Sequence, residues 1–244
     1  MPRTTIRRPT KRSYRSVLAL VVVPSVVVAL VMSTLYFVVL PLVPAIHQYY
    51  FPESTATYAT YRIAILGHIA AGSVALVLGP LNLWNGLRRK HRRMHRRIGG
   101  AYAVAVSLAA TFAIFMAFHA YAGTMPHGRL VVTSGFVTLG IVWLGTLGMA
   151  VHAAAVRHDV QRHAFWIIVN VSATYSAVVF RLFNGVIVAM DRFEQLYPLL
   201  GWVGWLPSVA AGVWLARRYA ARTAGRAASR PTVAPVPAAG EPVR

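Results

Sequence analysis

The stretch LRRKHRRMHRRIGG, residues 87–100, decides what kind of protein this is. Ten positions, Arg88 to Arg97, hold seven Lys or Arg and two His, and at Ile98 the chain turns apolar. Such a block is either a nucleic-acid-binding arm or the basic edge of a membrane-spanning segment. Its surroundings separate the two. The chain has 244 residues, 57% hydrophobic and 12% charged, with a mean hydropathy of +0.56. Soluble domains carry about 25% charged residues, so too little polar surface is present to cover a water-soluble globule. Six stretches, near 17–43, 63–85, 98–122, 130–155, 164–188 and 196–216, each approach or exceed the roughly 20 helical residues that cross a ~30 Å hydrocarbon core. The expected fold is all-α: a polytopic membrane protein of about six transmembrane helices. Spans 2–5, joined by short connections, form its four-helix core.

The net charge of +20 follows the spans. If they alternate, 21 of the 25 Lys and Arg lie on one side: before span 1, in the 88–97 loop, at Arg157 and Arg162, and after span 6. Only Arg62, Arg129 and Arg192 lie on the other, beside Glu53, Asp191 and Glu194. Positive-inside bias then places both termini in the cytoplasm. The excess of Arg over Lys, 23 to 2, with abundant Ala, fits a GC-rich bacterium and hence a bacterial plasma (inner) membrane. The basic face is expected to meet anionic lipid headgroups. No aromatic platform accompanies it, so nucleic acid is not an expected partner, and a protein partner is left open. The run from Val17 to Ile46 is too long for a cleaved signal peptide and lacks a small-residue cleavage site. The domain reading is a basic cytoplasmic N-terminus (1–16), a six-span domain (17–216) and a disordered tail rich in Ala, Pro and Arg (217–244). No internal repeat is visible.

Absent residue types narrow the chemistry. Without Cys there are no disulfides, thiolate nucleophiles, iron–sulfur clusters or Cys–zinc sites. The five acidic residues, Glu53, Asp159, Asp191, Glu194 and Glu241, all fall in loops or the tail. That excludes a di-iron carboxylate centre in the bundle and leaves no Asp or Glu for a mid-membrane proton relay.

Polar residues nevertheless enter the membrane in register. In span 5, HAFWIIVNVSATYSAVVFRLFNGVIVAM, Asn170, Thr174 and Arg181 follow His163 by seven, eleven and eighteen positions. At about 100° per residue all four lie within about 20° of one line. This stripe is expected to face the bundle interior, because a central Arg toward lipid costs ~2.5–3.5 kcal/mol even on the gentlest scale. The alternative is that Arg181 snorkels to the outer interface and Asn170 bonds a neighbouring helix. Span 2 carries His68 with Gly72 and Gly79 on its face, where another helix or a flat ligand can approach. Gly79-Pro80 marks a kink. Ser134, Thr138, Gly145 and His152 share a face of span 4, and Tyr102 shares one with His95. His119 is an outer-layer or interfacial residue. Spans 1 and 6 lack buried ionisable residues and read as outer, lipid-facing helices. Two His-bearing layers result: an inner one with His95, His152, His158 and His163, and an outer one with His68 and Arg181. Paired imidazoles from facing helices are one way to hold haem iron; the alternative is that His95 and His163 are interfacial residues among headgroups.

The segments HIAAGSVALVLGP (68–80), Arg88, HRRIGGAY (95–102), Trp143, HAFW (163–166) and VVFR (178–181) occur in one order and spacing. In these the chain resembles the bacterial family of predicted integral membrane proteins called unknown-function family 2306, over a family-like core of 63–188. Ala164 and Val169 stand where that family's pattern has Arg, and Asn82 where it has Gln. The chain is also loosely similar to six-span di-haem b-type cytochromes, which use spans 2–5 as core and pair His of span 3 with span 5. That likeness implies His95 and His163 as axial ligands. His68 has no partner in span 4, since His127 precedes it, so one haem is implied rather than two.

The function expected is binding of a haem-like cofactor, haem b, in the core for membrane electron transfer. His95 and His163 ligate the iron, and His68, Arg181 and Asn170 complete the cofactor site, with Arg181 on an anionic group. The alternatives are a cofactor-free protein that binds or transports a small anion or lipid headgroup through His68 and Arg181, and an assembly factor for another membrane complex. No catalytic residue is assigned.

Overall fold

A computed structural model of the chain describes residues 11–43, 45, 57–88 and 91–228, and among these all regular structure is helical. Helix α1 is Lys11–Thr34; it passes through a π-turn at Leu35–Val39 and ends in a short α segment, Leu40–Leu42. Then come α2 (Arg62–Arg88), α3 (Arg92–Ala117), α4 (Gly128–Ala155) and α5 (Val160–Ala189). The last two helices are α6 (Phe193–Val203) and α7 (Leu206–Ala228). Six stretches, with α6 and α7 counted as one, are long and apolar enough to cross a membrane, as the hydropathy pattern predicts. The outward surface is apolar: Leu42 is 75% exposed, Ile63 84% and Leu130 70%. Faces of that kind belong against lipid, since a soluble monomer rarely exposes so much apolar surface.

Helices α2 to α5 close into a four-helix core in which each packs on the next and α5 returns to α2. Helices α3 and α5 therefore face one another across the diagonal. Ala105, Ala109 and Ala110 on α3 are buried there with Tyr102, Trp143, Leu147 and Ala173. Small side chains let backbones approach where lipid supplies no hydrophobic drive. The α2–α3 seam shows this best. A side chain at Gly86 would strike the His95 ring, and one at Gly79 would strike Tyr102. Seven residues separate both the glycines and their partners, so the antiparallel seam keeps its register over two helical turns. Pro80 lies within α2, which continues through it, without a backbone N–H to donate.

Two of the core's three hairpins, α2–α3 and α4–α5, are hooked by a histidine in the first turns of the second helix. The Nδ1 of His95 donates to the Asn82 carbonyl (3.2 Å), and that of His163 to the Ala150 carbonyl (2.9 Å). Both acceptors lie thirteen residues upstream. The α2–α3 and α4–α5 hairpins thus share one geometry that their sequences do not advertise.

Three expectations change. Span 6 is not a single lipid-facing helix: it breaks at Gly204-Trp205, and Pro198, Leu200, Gly201 and Trp205 are buried. The cause is a glycine contact. A Cβ on Gly135 of α4 would strike the Gly201 carbonyl oxygen, so α6 sits backbone to backbone on α4. Span 1, by contrast, stays an outer helix, with Leu20, Val23 and Leu30 exposed, and lends Met32 and Tyr36 to the interior cavity. Pro41, which can neither donate nor tolerate the carbonyl four residues back, accounts for the π-turn that carries Tyr36. Finally, α7 runs to Ala228, so 217–228 is helical where a disordered tail was expected; Ala and Arg are among the strongest helix formers. Similarly, α1 starts at Lys11, inside the expected N-terminal extension. Residues 1–10 and 229–244 of the two terminal segments lie outside the described residues.

Candidate functional site

Along the bundle axis the core has three levels. At the basic end, His95 of α3 and His163 of α5 meet across the diagonal, with ring centroids 6.2 Å apart and planes at 83°. A carbonyl oxygen only accepts, so the hooks described above require the proton on Nδ1 of each neutral ring. Both Nε2 atoms then carry lone pairs. Imidazoles prepared in this way, with the far nitrogen fixed by a carbonyl, are the usual form of metal-ligating histidine. The other two inner-layer histidines stay apart: His152 is exposed and accepts from Arg157 Nε (3.3 Å), and His158 is exposed in the α4–α5 loop. Asp159 caps α5 by accepting from the Arg162 backbone N–H, which fixes the helix start ahead of His163.

The middle level is a closed polar lock. Asn170, fully buried, donates through Nδ2 to the Trp143 carbonyl (2.7 Å) and to Thr146 Oγ1 (2.8 Å). Its Oδ1 accepts from the Tyr102 hydroxyl (2.7 Å). Thr174 Oγ1 joins Tyr102 (2.7 Å) and accepts from Trp143 Nε1 (2.9 Å). The lock ties α3, α4 and α5, and every polar atom of the Asn170 side chain has a partner within the protein. Tyr102 was legible as a companion of His95. Its bond to Asn170 was not, because the two lie on diagonal helices.

Above the lock the bundle opens into a cavity of about 380 Å³. Trp143 and Thr174 form part of its wall, as do His68, Gly72 and Arg181, with Met32 and Tyr36 from α1 and Tyr197 from α6. His68 Nδ1 donates to the Ala109 carbonyl (2.9 Å), repeating the tautomer of the inner pair. Gly72 continues the seven-residue step of Gly86 and Gly79, but a Cβ there would meet nothing within 4 Å. Of the two glycines on the His68 face, Gly79 therefore admits a helix and Gly72 opens onto space. Arg181 is exposed on the cavity wall; its Nε donates to Met32 Sδ (3.1 Å) and its guanidinium lies 5.1 Å from the Phe180 ring centre. His119 stacks on Tyr61 at 4.0 Å on the cavity wall.

The structure therefore brings His95 and His163 together and sets His68 and Arg181 around a separate cavity. Asn170 lies between the two in the lock. Met32, Tyr36 and Tyr197, absent from the sequence-based set, line the cavity. Tyr36 and Tyr197 sit near other aromatic residues, Phe37 and Trp202, and nothing in the sequence marked Met32. Among the described residues no cluster of three or more His, Asp or Glu could hold a metal ion.

No curated protein and no solved structure shows significant similarity to this chain. A family profile does match, over residues 65–216, which spans α2 through the first half of α7 and contains His68, His95, His163, Asn170 and Arg181. The chain belongs to the family described as "Predicted membrane protein (DUF2306)", a family of membrane proteins of unknown function.

Proposed function

We propose that the diagonal pair His95 and His163 holds the iron of a haem-type cofactor, and that the protein is an electron-transfer component of the membrane. The geometry of that pair carries the reading. The two ring centres lie 6.2 Å apart on opposite helices, and each Nδ1 is held by a backbone carbonyl, so both residues would offer Nε2 to the iron. In the neutral ring each carbonyl hook leaves Nε2 as the nitrogen without a proton, the form a metal requires. The surroundings favour an anionic chelate over a bare cation: Arg92, Arg93, Arg96, Arg97 and Arg162 crowd the same end of the core. Such a collar repels a free divalent ion and suits the two carboxylates of a haem. When bound, haem supplies one-electron redox chemistry. The protein's part is to fix two ligands on opposite helices and to seal the inner level from the outer cavity with the Asn170 lock.

The basic end faces the cytoplasm in this reading, by positive-inside bias, and meets anionic headgroups. Arg88 over Trp84 (4.8 Å) and Arg218 over Trp214 (3.8 Å) support an interface at that level. A bacterial plasma membrane is the setting proposed. An absorption spectrum of detergent-purified protein from haem-replete cells tests the cofactor: a Soret band supports it, and protein absorbance alone sinks it. One observation favours a second, cofactor-free reading as a binding or transport protein, namely the outer cavity with Arg181 on its wall, which has no carboxylate partner among the described residues.

A further inference from the structure

We propose that the outer cavity is a binding site for an anionic amphiphile, a carboxylate or phosphate on an apolar body, with its head on Arg181 and its body against the small and aromatic wall. This takes up the second reading above and is independent of any haem at the inner level. Arg181 points to it first. The residue lies eight positions before the end of α5, roughly 12 Å below it at 1.5 Å per residue. Its Nε reaches across to α1 and the Met32 thioether, a weak acceptor for a group with five donors. Among the described residues no carboxylate pairs with it and no other acceptor meets it. A guanidinium at membrane depth is costly without an anionic partner, and its planar fork matches a carboxylate or phosphate.

The cavity supplies the rest. At about 380 Å³ it falls within the range of small-ligand sites, roughly 300–1,000 Å³. It is mostly apolar, with a few convergent polar groups. His68 lines it, and the neutral ring has only Nε2 left to accept a hydrogen bond from a ligand hydroxyl. Below, the lock of Tyr102, Asn170, Thr174 and Trp143 closes the way to the basic end, so the geometry suits a ligand that enters and leaves on the outer side. A free inorganic anion would satisfy Arg181 and leave the apolar wall unused. An uncharged chain would do the reverse.

Equilibrium binding of radiolabelled dodecanoate to the full chain, in a non-ionic detergent, tests this. Wild type is expected to bind one equivalent saturably. Arg181→Gln should weaken binding about tenfold or more, the loss of one charge-assisted contact. Arg181→Lys should recover part of it. Gly72→Leu, which fills the cavity where a Cβ meets nothing, should abolish binding. Gly72→Ala, which the open space accommodates without displacing a neighbour, should reduce it only slightly and guards against misfolding of the larger variant. Excess dodecanol and excess inorganic phosphate should both fail to compete. His95→Ala should bind normally, which separates this site from the inner pair. The proposal is overturned if wild type shows no saturable binding, if Arg181→Gln or Gly72→Leu binds as wild type does, or if inorganic phosphate alone displaces dodecanoate.

Discussion

Replacing Tyr102 with Phe removes one oxygen from the centre of the molecule. That hydroxyl contacts Asn170 Oδ1 and Thr174 Oγ1, both at 2.7 Å, on a helix diagonal to its own. Hydrogen bonds inside membrane proteins average about 0.6 kcal/mol and reach about 1.7. The change also leaves Asn170 Oδ1 buried without a donor, for which the penalty is about 1–3 kcal/mol. We expect Tyr102→Phe to destabilise by about 1.5–3 kcal/mol. Asn170→Leu, which deletes two donated bonds and one accepted bond, should cost a similar amount or more. Because one bond is shared, the double variant should cost less than the two singles together by about 1 kcal/mol, beyond the ~0.3–0.5 scatter of independent sites. Reversible unfolding in mixed micelles measures all four corners of the cycle. Additive effects within that scatter, or a Tyr102→Phe cost below about 0.5 kcal/mol, would refute the closed lock.

The α4–α6 contact predicts that Gly135→Ala, whose new Cβ meets the Gly201 backbone, lowers stability by about 1–3 kcal/mol. Gly72→Ala should be neutral or slightly stabilising, since its Cβ meets open space and Ala favours helix by up to ~1 kcal/mol. Thermal unfolding in detergent distinguishes the two. Because the chain has no Cys, single cysteines report topology cleanly. A cysteine at His127 should react with a membrane-impermeant maleimide in intact cells, and one at His91 or His158 only after lysis. The opposite pattern would reverse the proposed orientation.

The sequence carried the spans because hydropathy and span length are one-dimensional properties; helix starts moved by a few residues, as with Arg92 in place of Ile98. The inner pair was legible for a related reason. His95 and His163 each sit at a helix start in a short hairpin, so their layer follows from counting. The outer cavity was only half legible. His68 and Arg181 lie on periodic faces, whereas Met32 and Tyr36 depend on how a π-turn rotates α1. Asn170 shares a helical line with His163 and Arg181, but a periodic face does not reveal which side chains close on one another. Its commitment to Tyr102, Trp143 and Thr146 needs three helices in place. The break in span 6 was hidden because Gly201 matters through its contact with α4, at Gly135 and the Val132 backbone, sixty-six and sixty-nine residues away.

The most direct test of the central claim is the dithionite-reduced minus oxidised absorption spectrum of the purified protein, beside His95→Ala and His163→Ala variants from haem-replete cells. The account predicts the sharpened α and β bands of a bis-histidine haem in wild type and their loss in both variants, each of which removes one axial nitrogen. A featureless difference spectrum, or a haem signal that survives both substitutions, would contradict it.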